Sequence, residues 1–132
     1  MQLIVINSEK EDLKQFCKYL ISIIQKRLQL SINKQKLDAR NYIFEKYKDS
    51  KRLNWFQIIN QAIKNLYFYQ LPNQDYCITI NKKILAYGTN ITIESLARTL
   101  EYGKLGMKPY PIFNPVFDTI AKEIPDLYEE YL

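Results

Sequence analysis

Three prolines within seven residues, Pro109, Pro111 and Pro115, constrain this chain more than any other feature of its sequence. Proline lacks the amide hydrogen that a helix interior needs, and it disfavours a helical conformation in the residue before it. No helix can therefore run from residue 110 to residue 114. The same segment carries large apolar side chains. We expect a rigid turn whose apolar side chains contact either the chain's own sheet or a partner.

Periodic apolar side chains predict a largely helical first half. One helix is expected over residues 9–29, after a short apolar run at residues 1–6 and a capping box at residues 8–11. Residues 34–48 carry a more scattered pattern that also predicts a helix. Residues 53–69 carry a wide apolar stripe at helical spacing, which predicts another helix.

Alternating and β-branched residues follow. Residues 75–80 predict a half-buried strand, and residues 84–87 predict the returning strand of a hairpin. Thr92 then caps a short helix that ends near Leu100, and Gly103 suits the position just past a helix end.

The last helix is expected to begin at Asn114 as its N-cap, with Pro115 as its first residue. We expect Pro125 to end this helix and residues 126–132 to form a short, acidic, partly mobile tail. The predicted fold class is α+β: long N-terminal helices pack on a small antiparallel β-sheet, with a proline-rich loop and a short C-terminal helix. We expect residues 1–132 to form a single domain.

Residue content argues against catalysis. The chain has no histidine, and histidine is the usual general base near neutral pH and the commonest metal ligand. No pair of carboxylates, nucleophile motif or phosphate-binding loop stands out. Cys17 and Cys77 lie in apolar patterns and predict small buried side chains in a reducing compartment. We therefore expect no enzyme activity, no cofactor and no metal site.

Charge and aromatic content leave other classes open. The net charge is +5, and 19 lysines and arginines accompany 11 tyrosines and 6 phenylalanines. Tyr47 lies within a basic cluster formed by Lys46, Lys48, Lys51 and Arg52. Aromatic side chains among cations can bind nucleic acid by stacking, so a small basic nucleic-acid-binding protein is one alternative. An accessory protein that binds and inhibits another protein is a second alternative. No segment approaches the roughly 18 to 20 apolar residues that cross a bilayer.

The C-terminal third carries a family resemblance. The segment Ser95-Leu96-Ala97-Arg98-Thr99-Leu100 leads into Glu101-Tyr102-Gly103, and the proline-rich stretch 107–117 then opens a final helix. This order resembles the C-terminal signature of the tail-completion and neck proteins, the head–tail joining family of tailed bacteriophages. The match covers about residues 92–123. Where that family often has arginine and phenylalanine between the prolines, this chain has Lys108 and Tyr110.

The resemblance implies a non-enzymatic structural protein of the virion. It implies copies that form a homo-oligomeric ring at the neck, with the portal or adaptor on one side and the tail terminator or tube on the other. Genomic DNA would pass through the lumen without base recognition, and lysines lining that lumen would attract it. The expected location is the head–tail junction of the virion, after synthesis in the host cytoplasm, with no membrane partner.

Within this segment we expect two sets of side chains with different tasks. Phe113, Val116 and Phe117 are expected to face the core. The hypothesised interface with neighbouring copies consists of Tyr102, Leu105, Met107, Lys108 and Tyr110.

Overall fold

A computed structural model describes residues 4–7, 12–35, 55–86, 89–103 and 109–132 of the chain. Within these ranges the chain forms four α-helices and one three-stranded antiparallel sheet, which is the predicted α+β class. In chain order the elements are β1 (Ile4–Ile6), α1 (Leu13–Gln35), α2 (Trp55–Lys64), β2 (Leu66–Gln70), β3 (Tyr76–Ile80), α3 (Ile93–Tyr102) and α4 (Phe113–Tyr131).

The sheet is built around β3, which lies between β1 and β2 and runs antiparallel to both. The register places Ile78 between Ile4 of β1 and Phe68 of β2. These side chains lie on the face of the sheet that packs against the helices. On this face, α1 packs on β2 and β3, and α4 packs on β1. All five side chains of β3 are buried, so the prediction of a half-buried strand over residues 75–80 is wrong in its burial. The reason is that β3 is the central strand, with β1 on one side and β2 on the other.

The helices bury the apolar stripes that the sequence predicts. Buried α1 positions recur at helical spacing, and they are Leu13, Phe16, Cys17, Leu20, Ile24, Leu28 and Ile32. The helix α4 contributes Phe113, Phe117, Ile120, Ile124 and Leu127 to the same core. The contact between α1 and α4 includes an ion pair of 2.7 Å between Arg27 and Glu123. Helix α2 packs on α1 and on α3, so α3 reaches the core beside α2.

The predicted helix over residues 53–69 is wrong in its second half. Helix α2 ends at Lys64, Asn65 forms a turn, and Leu66–Gln70 forms the strand β2. This strand is the hairpin partner of β3, with Leu71–Asp75 as the connection. Tyrosine and phenylalanine at positions 67–69 favour a strand, and pairing with β3 outweighs the helical spacing of Leu66.

Residues 84–86 do not form the second strand of that hairpin, because β2 already occupies that edge of β3. Leu85 instead makes an isolated antiparallel bridge with Thr92, and two backbone hydrogen bonds of 2.8 Å flank it. This contact fixes the start of α3. Helix α1 begins at Leu13, later than predicted, because Asp12 has a positive φ of 53° and lies outside the helix, and it continues to Gln35.

The final helix starts earlier and ends later than predicted. Its N-cap is Ile112 rather than Asn114, and it continues through Pro125 to Tyr131. The predicted acidic tail is therefore the last part of α4. Leu127 is buried, and Tyr128 and Tyr131 make edge-to-face contacts with Phe16 of α1 at ring-centroid distances of 5.0 and 5.6 Å. These contacts offset the backbone hydrogen bond that Pro125 cannot make.

Several predictions fall on residues outside the described ranges. They are the capping box at residues 8–11, the helix over residues 34–48 beyond Gln35, and the basic cluster around Tyr47.

Candidate functional site

Helix α3 leads into the segment that carries the family resemblance. The Thr92 hydroxyl accepts a 3.2 Å hydrogen bond from the Ser95 amide, as a helix N-cap does. Ile93, Leu96, Ala97 and Leu100 form its buried apolar face. The predicted cap and the predicted face are both confirmed, and they orient the end of α3 toward the start of α4.

Gly103 ends α3 with a backbone conformation that requires glycine. Its φ of 77° and ψ of 171° lie in a region that side chains with a Cβ atom avoid. Its amide donates to the Thr99 carbonyl at 2.8 Å, which closes the last turn. The chain therefore leaves α3 in a fixed direction.

The Glu101 carboxylate is the central group of the site. Only 2% of this residue is exposed. Oε1 accepts hydrogen bonds from the amides of Ile112 and Phe113, both at 2.8 Å, and Oε2 accepts one from the Asn114 amide at 3.0 Å. A side chain of α3 thus caps the N-terminus of α4.

This cap satisfies the whole first turn of α4. The first amides of a helix have no carbonyl partner within the helix. They also form the positive end of the helix dipole, which favours an anion nearby. Glu101 binds the amides of the N-cap and of the first two helical residues. Pro115, the third helical residue, has no amide hydrogen to satisfy. Hydrogen bonds from three amides stabilise the buried charge.

Two further hydrogen bonds join the same elements. The Tyr110 amide donates to the Leu100 carbonyl at 2.8 Å, and the Asn114 side-chain amide donates to the Tyr102 hydroxyl at 2.9 Å. We refer to residues 100–103 together with residues 110–115 as the α3–α4 junction. Its hydrogen bonds form between residues that lie ten or more positions apart in the sequence.

The predicted interface residues have different positions in the structure. Tyr102 is 49% exposed, so about half of this residue is available at the surface of the junction. Tyr110 is half-buried and packs against the chain's own core. Leu105, Met107 and Lys108 lie outside the described residues. The expectation that Phe113 and Phe117 face the core is confirmed, and Val116 packs against that core while half-buried.

Sequence reasoning missed the role of Glu101. It predicts Asn114 as the N-cap, whereas the Asn114 amide is one of the groups that Glu101 binds. A usable signal was present: an acidic residue near the C-terminal end of a helix, where the dipole disfavours it. Such a residue indicates that hydrogen-bond donors elsewhere in the chain stabilise its carboxylate. The start of the helix after Pro111 provides three such donors, which are backbone amides.

Glu94 is the other buried carboxylate among the described residues. Glu94 pairs with Arg98 one helical turn away on α3. Among the described residues, no three histidine, cysteine, aspartate or glutamate side chains could together hold a metal ion. Both oxygens of the Glu101 carboxylate accept hydrogen bonds from backbone amides.

Both cysteines are buried and free of disulfide bonds, as predicted. Burial, with a further effect from the neighbouring Cys77, raises the pKa of Cys17 to about 11. Interaction with the Cys77 side chain also raises the pKa of Tyr69, which lies opposite Cys77 across β2 and β3. A thiol with a raised pKa is a poor nucleophile at neutral pH.

Comparisons with known proteins give no relative for this chain. No protein-family model, curated protein or solved structure matches it. Within the described ranges, no helix has both the length and the apolar character needed to cross a membrane.

Proposed function

We propose that this protein is a non-enzymatic structural component of a virion, located at the head–tail junction, where copies assemble into a ring. Its partners are further copies of itself, the portal or adaptor, and the tail terminator or tube. Genomic DNA passes through the lumen without base-specific contacts. A protein of this kind acts through the shape and rigidity of its surfaces.

The Glu101 cap is the observation that carries the proposal. Three residues of the resemblance, Glu101, Gly103 and Pro115, lie in the α3–α4 junction and each shapes its backbone. The glutamate caps the final helix, the glycine turns the chain, and the proline removes an amide that would lack a partner. A motif whose members jointly fix the angle between two helices supports a role in assembly.

The surface of the junction also supports assembly. The Tyr102 ring is 49% exposed, yet its hydroxyl is held by Asn114. An aromatic side chain that is already ordered loses little conformational entropy on binding, and tyrosine is enriched in interfaces. Gly103 and Tyr110 are both hydrogen-bonded to α3, which fixes their positions beside Tyr102.

The test is to disrupt the reading frame in its source virus and image the lysate by electron microscopy. We expect DNA-filled heads separate from finished tails. Complementation with the wild-type chain should restore joined particles. Intact infectious particles in the absence of the protein would exclude the proposed role.

A point variant then tests the proposed surface. Tyr102→Asp should fail to complement, because a charge at this position opposes burial between copies. Glu130→Lys, also exposed but at the other end of α4, is the control and should complement. Purified Tyr102→Asp should keep its helical content by circular dichroism. Full complementation by this variant would remove Tyr102 from the interface.

A further inference from the structure

The face of the sheet opposite α1 and α4 carries a distinct set of side chains. By strand alternation and register this outer face contains Val5, Tyr67, Tyr69, Cys77 and Thr79. Val5 is 51% exposed, whereas its neighbours on the other face, Ile4 and Ile6, are buried. Cys77 and Thr79 of the central strand are buried, so the accessible part of the outer face lies on the two edge strands, β1 and β2.

Two tyrosine rings are already stacked on this face. Tyr67 and Tyr69 lie two residues apart on β2, with ring centroids 5.5 Å apart and ring planes inclined by 29°. Both side chains are half-buried. In the described residues β2 is an edge strand of the sheet, so the pair lies at the border of the outer face.

Three lysines lie at the end of the sheet where β2 begins. Lys64 ends α2, and Lys82 and Lys83 follow β3. A 2.8 Å hydrogen bond from the Asn81 amide to the Asn65 carbonyl brings these segments together. The Asn81 side chain accepts from the Lys83 amide at 2.9 Å and fixes the turn. We name Lys64, Lys82 and Lys83 the lysine corner.

The charge of the lysine corner is not neutralised by described carboxylates. All three side chains are exposed. The ion pairs among the described residues use Arg27, Arg98 and Lys122, and none uses these lysines. Three ammonium groups at one corner therefore offer a site for phosphates.

The sheet register links the corner to the rings. Tyr67 pairs with Thr79, two residues before Asn81, so Tyr67 is the tyrosine nearer to the lysine corner. A polyanion bound at the corner would continue along β2 over Tyr67 and then Tyr69. Bases of a single strand can stack on such rings, whereas the bases of a duplex are already stacked on one another.

We propose that the outer face binds single-stranded nucleic acid without sequence preference, with phosphates at the lysine corner and bases against Tyr67 and Tyr69. The partner class follows from charge complementarity and from the aromatic pair beside it. This inference is independent of the role at the head–tail junction.

The test is fluorescence anisotropy with labelled twelve-nucleotide thymine and adenine single strands at 50 and 200 mM salt. We expect both strands to bind with similar affinity, and more weakly at higher salt. The first variant replaces all three lysines of the corner (Lys64→Gln, Lys82→Gln, Lys83→Gln). It should bind at least tenfold more weakly, and the magnitude of the negative slope of log affinity against log salt should fall by about 2. The control is Lys14→Gln, Lys18→Gln, Lys26→Gln, which removes the same charge from exposed positions on α1. The affinity of this control variant for the single strands should fall by less than threefold.

The tyrosines are tested separately. Tyr67→Ala with Tyr69→Ala should weaken binding at least tenfold. Tyr67→Phe with Tyr69→Phe keeps both rings and should bind like the wild type, and thermal unfolding of each variant verifies the fold. Three results would overturn the proposal: no binding to single strands at 50 mM salt, equal losses in the two lysine triples, or equally tight binding of a duplex of the same length.

Discussion

A buried carboxylate needs a counter-ion or several hydrogen-bond donors, and Glu101 has three backbone donors. The side chain lies near the end of α3 but acts on the start of α4. Its position in sequence suggests an ordinary helical glutamate. Its partners, 11 to 13 residues later, are backbone amides that no side-chain pattern reveals. The sequence could therefore show that Glu101 is unusual for its place in a helix, but not which groups it binds.

Replacing Glu101 should destabilise the protein strongly. Glu101→Ala leaves three buried or half-buried amides without an acceptor, and we expect a loss of about 3 kcal/mol in the free energy of unfolding. Glu101→Gln should lose less, because its carbonyl oxygen still accepts. Urea unfolding measures both.

The matched control is Glu129→Ala, which removes an exposed carboxylate from α4. It should change stability by less than about 0.5 kcal/mol. Equal small effects at positions 101 and 129 would show that the cap contributes nothing to stability.

Cys17 should make stability depend on alkaline pH. Its pKa is raised from an ordinary value of 9.0 to about 11 in the folded protein, chiefly by burial. The unfolded chain therefore releases this proton at lower pH than the folded protein does. The stability that the protonated thiol contributes is intact below pH 9 and is lost as the pH rises to about 11, with a total of about 3 kcal/mol.

Urea unfolding of wild type and Cys17→Ala between pH 8 and pH 11 measures this effect. The variant has lower stability throughout because it leaves a cavity, but its decline above pH 9 should be shallower. Parallel declines of the two proteins would contradict the assignment.

At the scale of elements, the spacing of apolar residues within one segment predicted where most helices lie. It failed where contacts with distant residues decide whether a segment forms a helix or a strand. Leu66 continues the helical spacing of α2, yet it begins β2, because β3 offers a partner for residues 66–70. Pro125 ends a helix in isolation, yet α4 continues through it. In both cases the deciding contacts come from residues far away in the sequence, which periodicity within one segment cannot include.

The last part of α4 gives a direct test of this explanation. Leu127→Ala should lower the free energy of unfolding by about 2 to 3 kcal/mol, because the side chain is buried against the core. Glu130 is exposed and lies three residues after Leu127, so Glu130→Ala should leave the free energy of unfolding unchanged. Thermal or urea unfolding provides the comparison. If residues 126–132 formed a loose tail, the two variants would behave alike.

At the scale of the whole molecule, the two proposed surfaces belong to different elements. The α3–α4 junction is built from helix ends, while the outer face belongs to β2, β3 and β1. Tyr102 serves the first surface, and Tyr67 and Tyr69 serve the second. Variants of one surface should therefore leave the other unchanged, and complementation and nucleic-acid binding can be scored independently.

The shared carboxylate also has a consequence for how the native protein opens. If α4 left the core alone, the Glu101 carboxylate would lose all three of its donors, and if α3 left alone, the first turn of α4 would lose its acceptors. The two helices, separated by residues 103–112, should therefore open together as one cooperative unit. Native-state hydrogen exchange should give the amides of α3 and α4 a single opening free energy. In Glu101→Ala, α3 and α4 should each show an opening free energy of their own. One side chain would then decide whether the two helices open together or separately.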